Sequence, residues 1–162
     1  MSTHHTATDT PTAVTVRCRD NDAVTLRLCD PSRPEDDRVL YAVEASAPGL
    51  AARVDDVVAW PWGTDLPQFL EELAADFRGW VGQRVWQTLD RDLTVGAAFR
   101  SGGHVGLTWT LRPWRSACCG WEASVTTWLD AGEQMSALAA DVRSLLTPPA
   151  GNHGRSATPF SI

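Results

Sequence analysis

The residue best suited to acid–base chemistry in this chain is His104, which follows Ser101-Gly102-Gly103 at the start of a predicted strand. An imidazole acts as a general base when a nucleophile and an orienting carboxylate are held beside it. Ser101 is close in sequence, but no Gly-x-Ser-x-Gly turn surrounds it. The pattern therefore assigns no catalytic residue, and His104 remains a candidate for ligand binding.

The cysteines and the basic residues exclude several other chemistries. Cys18, Cys29, Cys118 and Cys119 form no Cys-x-x-Cys pair and have no suitably spaced histidine, so neither a metal site nor a thiol nucleophile is predicted. All 14 basic residues are arginine, which excludes a Schiff-base lysine and a lysine-containing phosphate loop. We expect no cofactor, and cysteines buried as small apolar side chains.

Acidic residues concentrate around the predicted first helix and the turn after it, in a chain of net charge −6. They are Asp55, Asp56, Glu71, Glu72, Asp76, Asp90 and Asp92. One acidic face would steer a basic protein partner towards the molecule, whereas nucleic acid requires a basic surface. The candidate contact residues of this face are Glu71, Glu72, Asp90 and Asp92.

All eight tryptophans fall between Trp60 and Trp128. Three of them lie in or beside periodic segments and are predicted to be in the core: Trp80, Trp86 and Trp109. Four others lie in two predicted loops: Trp60, Trp62, Trp114 and Trp121. Exposed aromatic side chains dominate many protein interfaces, so these four are also candidate contacts. The pattern leaves Trp128 open between covering the far side of a sheet and being exposed.

Alternation of apolar and polar residues predicts eight strands, which are separated by turn signals and by a polar loop from Pro31 to Asp37. The predicted strands are 13–20, 23–30, 38–47, 50–60, 84–90, 92–100, 104–112 and 121–130. Residues 1–11 are predicted to be a disordered N-terminus and residues 147–162 a flexible tail. A single domain is expected over residues 12–146.

A spacing of three and four residues between apolar positions predicts two helices. The first is capped by Thr64 or Asp65 and ended by Gly79, and its apolar stripe is Leu66, Phe69, Leu70, Leu73, Ala74 and Phe77. The second starts at a capping box, Asp130-x-x-Glu133, and its stripe is Met135, Leu138, Ala139, Val142, Leu145 and Leu146. The order predicts an α+β fold of two consecutive strands-then-helix halves. An antiparallel sheet with both helices packed on it leaves one sheet face free for a partner.

Several short segments occur in a fixed order along the chain. They are Asp65-Leu66-x-x-Phe69-Leu70-x-x-Leu73, Gly79-Trp80-x-Gly82-x-x-x-Trp86, Gly103-His104-Val105 with Leu107, Trp121, and Gly132-Glu133-Gln134-Met135. Together they resemble an actinobacterial family of uncharacterised domains over residues 12–146, a resemblance that implies no catalytic residues. The order of strands and helices also resembles that of immunity proteins that neutralise WapI-type contact-dependent toxins, which is an analogy of fold.

The sequence favours a non-enzymatic, cytoplasmic protein-binding module whose partner is a basic protein, with an immunity-type protein bound to a toxin as one form of it. No membrane association is expected, because no stretch approaches the roughly 18 apolar residues that span a bilayer. Two alternatives stay open. One is a small-ligand binder or enzyme with a helix–sheet cleft around His104, and the other is a structural module that associates with itself. The oligomeric state is not predicted.

Overall fold

The computed structural model describes residues 12–35, 37–60, 65–113 and 120–147. The predicted N-terminal segment and, apart from Thr147, the predicted C-terminal tail lie outside these residues. Two candidate contacts, Trp62 and Trp114, and the cysteine pair 118–119 lie outside them as well.

The described strands form two antiparallel sheets of four strands each. The N-terminal sheet contains β1 (Ala13–Cys18), β2 (Asn21–Glu35), β3 (Arg38–Ala47) and β4 (Leu50–Ala59) in chain order. The C-terminal sheet contains β5 (Gln83–Gln87), β6 (Leu93–Arg100), β7 (His104–Leu111) and β8 (Ala123–Asp130). Helix α1 (Leu66–Ala75) follows the first sheet and α2 (Glu133–Leu146) follows the second.

The predicted α+β class and the two strands-then-helix halves are confirmed, but the eight strands form two sheets where a single sheet was expected. Short connections favour pairing between strands that are neighbours in sequence, and each set of four strands is joined in this way. Helix α1 interrupts the series between Ala59 and Gln83, and β4 and β5 do not pair.

Both sheets and both helices contribute to one hydrophobic core. Strand β7 illustrates how the sheets share this core. Its alternation of apolar and polar residues places four completely buried side chains on one face: Val105, Leu107, Trp109 and Leu111. That face meets the N-terminal sheet, because β7 lies against β3 and β4 while β8 lies against β1, β2 and β3. The backbone N–H of Arg19 donates to the carbonyl of Trp128 at 2.9 Å and joins the two halves directly.

The two helices pack against each other in antiparallel orientation. The N-terminal part of α1 meets the C-terminal part of α2, where Arg143 binds both Glu71 and Asp65. At the other end, Ala74 and Ala75 line a groove with Ser136, Ala139 and Ala140. These small side chains allow the helix backbones to approach closely. The six residues of the predicted α2 stripe are all buried, as expected from the helical period.

Helix α1 starts as predicted and ends earlier than predicted. Asp65 is its cap, and its carboxylate accepts the backbone N–H of Gln68 at 2.9 Å. Asp76 leaves helical geometry at φ −91° and ψ 42°, so Phe77 no longer follows the apolar stripe. The prediction that Phe77 is buried is wrong, since its side chain is 54 % exposed.

The predicted capping box of α2 is also wrong. The cap is Gly132 at φ 86°, which has no side chain to accept a hydrogen bond from the helix. The carboxylate of Asp130 instead binds Arg19, which belongs to the first half of the chain. Gln134 performs one part of a capping box, because its side-chain oxygen accepts the backbone N–H of Asp130 at 2.7 Å.

The segment predicted as a polar loop from Pro31 continues β2 as far as Glu35. Its pairing with β3 shifts register twice, after Cys29 and after Ser32. Pairing with β1 ends at Cys29, so the two prolines that follow have no neighbouring strand on that side that requires their missing N–H. A strand can contain prolines where its pairing is irregular and one of its edges is free. The prolines of this segment look like turn signals in the sequence, so the sequence does not predict the strand.

Candidate functional site

Residues from both sheets meet at an open cleft of about 800 Å³. Asp55 and Asp56 reach it from β4, Asp90 and Asp92 from the turn between β5 and β6, and Trp121 from the approach to β8. We call these five residues the acidic cleft. Three of them, Asp90, Asp92 and Trp121, were predicted as contacts from separate parts of the sequence, and the packing of the two sheets brings them together.

A β-bulge aims two carboxylates at the acidic cleft. Val43 pairs with Val54 and Tyr41 pairs with Val57, so Asp55 and Asp56 together oppose the single residue between Tyr41 and Val43. Asp56 has a φ of 56°, a left-handed conformation that aspartate tolerates better than most residues. A bulge of this kind bends a strand and redirects its side chains, which is why bulges occur often at binding sites.

Two arginines also line the acidic cleft, but both guanidinium groups already have partners within the chain. Arg53 binds Asp30 at 2.8 Å, Asp55 at 2.9 Å and also Glu44. Arg38 lies 3.5 Å from Glu35 and 5.7 Å from the centre of the Trp60 ring. The pKa of Asp30 is lowered by its hydrogen bond to Arg53. Asp55 therefore shares its charge with Arg53, and the acidic character of the cleft rests mainly on Asp56 and Asp90.

Asp92 holds the turn that presents Asp90. Its side chain is buried and accepts the Thr88 hydroxyl at 2.5 Å, while its backbone carbonyl accepts the N–H of Arg112 at 3.0 Å. With both ends of the turn fixed, Leu89 and Asp90 project into solvent, and Leu89 is 77 % exposed. Asp92 therefore fixes the turn that exposes Asp90 at the edge of the acidic cleft.

Burial raises the pKa of Asp92 above the ordinary value of 3.8, the hydrogen bond from Thr88 opposes this, and the charge of Asp90 adds to it. The folded chain therefore keeps this proton to higher pH than the unfolded chain does. The stability that Asp92 contributes is fully present below its pKa in the unfolded chain. It is lost as the pH rises through its pKa in the folded chain. We expect Asp92→Asn, which still accepts from Thr88, to remove that loss.

Urea unfolding of the wild type and of Asp92→Asn between about pH 3 and pH 7 measures this effect. Asp30 and Glu71 have lowered pKa values and contribute the opposite slope, so the difference between the two proteins is the relevant quantity. The free energy of unfolding of the wild type, relative to that of Asp92→Asn, should decrease as the pH rises. A difference that stays constant would show that the Asp92 pKa is not raised.

Two smaller cavities flank Trp60. One of about 200 Å³ lies between β3, β4 and the ends of both helices, and one of about 290 Å³ lies beside Tyr41 and Trp86. Arg33 Nε and Asp37 Oδ1, at the first cavity, are buried without a hydrogen-bond partner. A helix–sheet cleft thus exists at Trp60, which is half-buried between the two cavities.

The other candidate residues lie elsewhere. Glu71 forms a two-pronged ion pair with Arg143 that ties α1 to α2, and Glu72 accepts from Gln68 at 3.3 Å on the same helix. His104 begins β7, with its Nε2 atom 3.4 Å from Asp130. His104 lines none of the three cavities described above.

The sequence marks Asp55 and Asp56 as acidic, but the contact residues predicted from it do not include this pair. A signal was present in the sequence, since two consecutive aspartates interrupt the alternation between Val54 and Val57. Such an interruption is typical of a bulge. Which side of the sheet the bulge faces depends on how the two sheets pack, and the local pattern does not contain that information.

Within the described residues, no three or more histidine, cysteine, aspartate or glutamate side chains are grouped closely enough to hold a metal ion. Neither of the two described helices has the length and apolar character needed to cross a membrane.

Comparison with known proteins places the chain in a family. No curated protein and no solved structure matches it significantly. A family model matches residues 17–149, a range that runs from β1 through α2 and includes the acidic cleft. This agrees with the resemblance to an uncharacterised domain that the Gly-Trp-x-Gly and Gly-His-Val segments suggested. The chain belongs to the family described as a family of unknown function, DUF6228.

Proposed function

We propose that this protein is a non-enzymatic binding module that recognises the basic surface of another protein through the acidic cleft. The observation that carries this proposal is that Asp55 and Asp56, from β4 of one sheet, and Asp90, from the β5–β6 turn of the other, line one cleft with the partly exposed ring of Trp121. Trp121 is 41 % exposed, so a partner has ring surface to cover.

The charged and aromatic groups have different roles in this proposal. The side chain of Asp55 is 66 % exposed, and Asp56 and Asp90 are also exposed. Exposed charges at a rim mainly raise the association rate and disfavour wrong partners. An aromatic side chain that becomes buried on binding supplies affinity and slows dissociation.

The more specific form of the proposal is an immunity-type function in the cytoplasm. A toxin that acts on nucleic acid needs a basic surface to bind phosphates. An acidic cleft is complementary to such a surface and would cover it. The order of strands and helices, which is similar to that of immunity proteins against WapI-type toxins, supports this form by analogy of fold.

The proposal is tested by neutralising the rim of the acidic cleft. The triple variant Asp55→Asn, Asp56→Asn, Asp90→Asn keeps side-chain size, and asparagine tolerates the positive φ of position 56. We expect association with the basic partner to slow by about tenfold or more at low salt, with a smaller difference at high salt. The partner is first captured from a native extract or taken from the proteins encoded beside the gene, and rates are then measured by biolayer interferometry.

A matched control removes the same charge elsewhere. Asp22, Glu133 and Asp141 are exposed and lie outside the acidic cleft, so Asp22→Asn, Glu133→Gln, Asp141→Asn changes net charge equally. The control should bind at close to the wild-type rate, and Trp121→Ala should mainly speed dissociation. Equal slowing in both triple variants would show that overall charge, and not the cleft, attracts the partner. No slowing in either would overturn the proposal.

A further inference from the structure

Strand β5 forms an edge of the C-terminal sheet and exposes apolar side chains. It pairs with β6 on one side only. Val85 in its middle is 59 % exposed, and Val81 and Leu89 on its flanks are 103 % and 77 % exposed. These are three of the five large apolar side chains that the described residues expose. Most of the large apolar side chains that the described residues expose therefore lie on or beside one short edge.

The hydrogen bonds to β6 fix which backbone groups of β5 point outward. The N–H of Thr88 donates to the carbonyl of Leu93 at 3.0 Å, so these two residues form a hydrogen-bonded pair. Such pairs alternate along an antiparallel ladder, which turns the backbone of Arg84 and Trp86 towards β6. The N–H and C=O groups of Gln83, Val85 and Gln87 therefore face away from the sheet.

This edge lacks the features that usually prevent strand addition. Natural edges carry outward charges, prolines or bulges, and β4 in the other sheet has both a bulge and charged side chains. Strand β5 contains no proline, and its pairing with β6 has no register shift. Its one charged residue, Arg84, is engaged with Asp76 at 2.5 Å and lies 4.8 Å from the centre of the Trp80 ring.

We propose that two copies of this chain associate through β5, paired antiparallel about a two-fold axis at Val85. The two C-terminal sheets then become one continuous sheet. Val85 faces Val85 of the second copy, and Gln83 faces Gln87 of the second copy. Every outward N–H and C=O group of these residues meets its complement in this register.

The side chains are complementary in the same register. Val85 meets its own copy as an apolar pair, and the amides of Gln83 and Gln87 can bond to each other. On the opposite face of the sheet, Arg84 comes opposite Trp86 of the second copy, so the two arginines do not face each other. A shift that centres the axis on Arg84 would still pair outward backbone groups, but it would place two like charges opposite each other. The strand therefore fits a second copy of itself best when centred on Val85.

This interface is separate from the acidic cleft, because no residue of β5 lines that cleft. The self-association and the proposed binding of a basic partner can thus succeed or fail independently.

Sedimentation velocity of the full chain across about a hundredfold range of concentration tests the proposal. The wild type should shift from monomer towards dimer as concentration rises. Val85→Lys should sediment as a monomer throughout, because it places two ammonium groups opposite each other at the axis. Ala51→Lys is the control: a lysine at an exposed position on β4, in the other sheet, should leave the dimer intact.

The register is tested by paired substitutions at the two glutamines. Gln83→Lys with Gln87→Glu places opposite charges across the axis and should preserve the dimer, whereas Gln83→Lys with Gln87→Lys should abolish it. Circular dichroism confirms that each variant is folded, as expected for exposed positions. A wild-type protein that stays monomeric at all concentrations would overturn the proposal, as would a Val85→Lys dimer or equal behaviour of the two double variants.

Discussion

Replacing Trp109 with alanine is expected to lower the free energy of unfolding by about 3–5 kcal/mol, a loss typical of removing a large aromatic side chain from a core. Trp109 is completely buried at the centre of β7, on the face that meets the N-terminal sheet. Its removal leaves a large cavity between two sheets that cannot close without moving both. Urea unfolding followed by circular dichroism measures the loss, and a decrease below about 1 kcal/mol would show that the sheets repack around the gap.

The indole N–H of Trp109 allows the polar part of this effect to be separated from packing. It donates to the hydroxyl of Thr127 on β8 at 2.9 Å, and Thr127 is completely buried as well. Thr127→Val keeps the shape but leaves the N–H unpaired, which costs about 1–3 kcal/mol. Adding Trp109→Phe to Thr127→Val removes the unpaired donor, so the two losses should be less than additive. A strictly additive double variant would show that the hydrogen bond contributes nothing.

The second large effect is expected at Gly79, where alanine should lower the free energy of unfolding by about 2–5 kcal/mol. Two independent causes add together. The backbone has a φ of 111°, a region that residues with a side chain rarely adopt. A Cβ atom would also lie 2.7 Å from the ring of Phe99, which packs against Trp80 with its centre 5.4 Å away. The substitution therefore strains the turn and displaces the aromatic pair that follows it.

Gly82 provides the matched control for that prediction. Its φ of 82° is also left-handed, but a Cβ atom there would have no atom within 4 Å. Gly82→Ala should thus cost only the backbone strain, about 1–2 kcal/mol. Thermal denaturation of both variants gives the comparison. Equal losses at the two glycines would mean that the Phe99 ring moves aside easily and that strain alone matters.

Features set by neighbouring residues could be predicted from the sequence. The apolar stripe of α2 and the buried face of β7 follow from the periods of a helix and a strand, and Asp65 was one of two predicted caps of α1. The prediction for Phe77 is wrong because α1 ends at Ala75, with Asp76 as its C-cap, and the apolar spacing alone does not mark that end. The strand after Pro31 was missed because turn signals there are accommodated by a sheet edge, which only the assembled sheet defines.

Features set by distant parts of the chain could not be predicted. The separation into two sheets depends on how β7 and β8 pack over the N-terminal strands. The acidic cleft depends on the same packing, since Asp55 and Asp90 belong to different sheets. Trp80 and Trp86, which were expected in the core, are half-buried and pack against its border. An indole has an N–H group that needs a hydrogen-bond acceptor, which suits the border of a core. The N–H of Trp80 donates to the carbonyl of Ala97 at 3.4 Å.

The antiparallel pairing of α1 with α2 has a consequence for how the chain is made. Helix α1 is synthesised midway along the chain, but the helix that it packs against is completed only at Leu146. Val142, Leu145 and Leu146 are completely or almost completely buried in the shared core. The apolar face of α1 therefore cannot be fully covered by α2 until the ribosome has added the second sheet and these residues. The core shared by the two halves is completed only when α2 has emerged, so folding of the first half depends on the second half during synthesis.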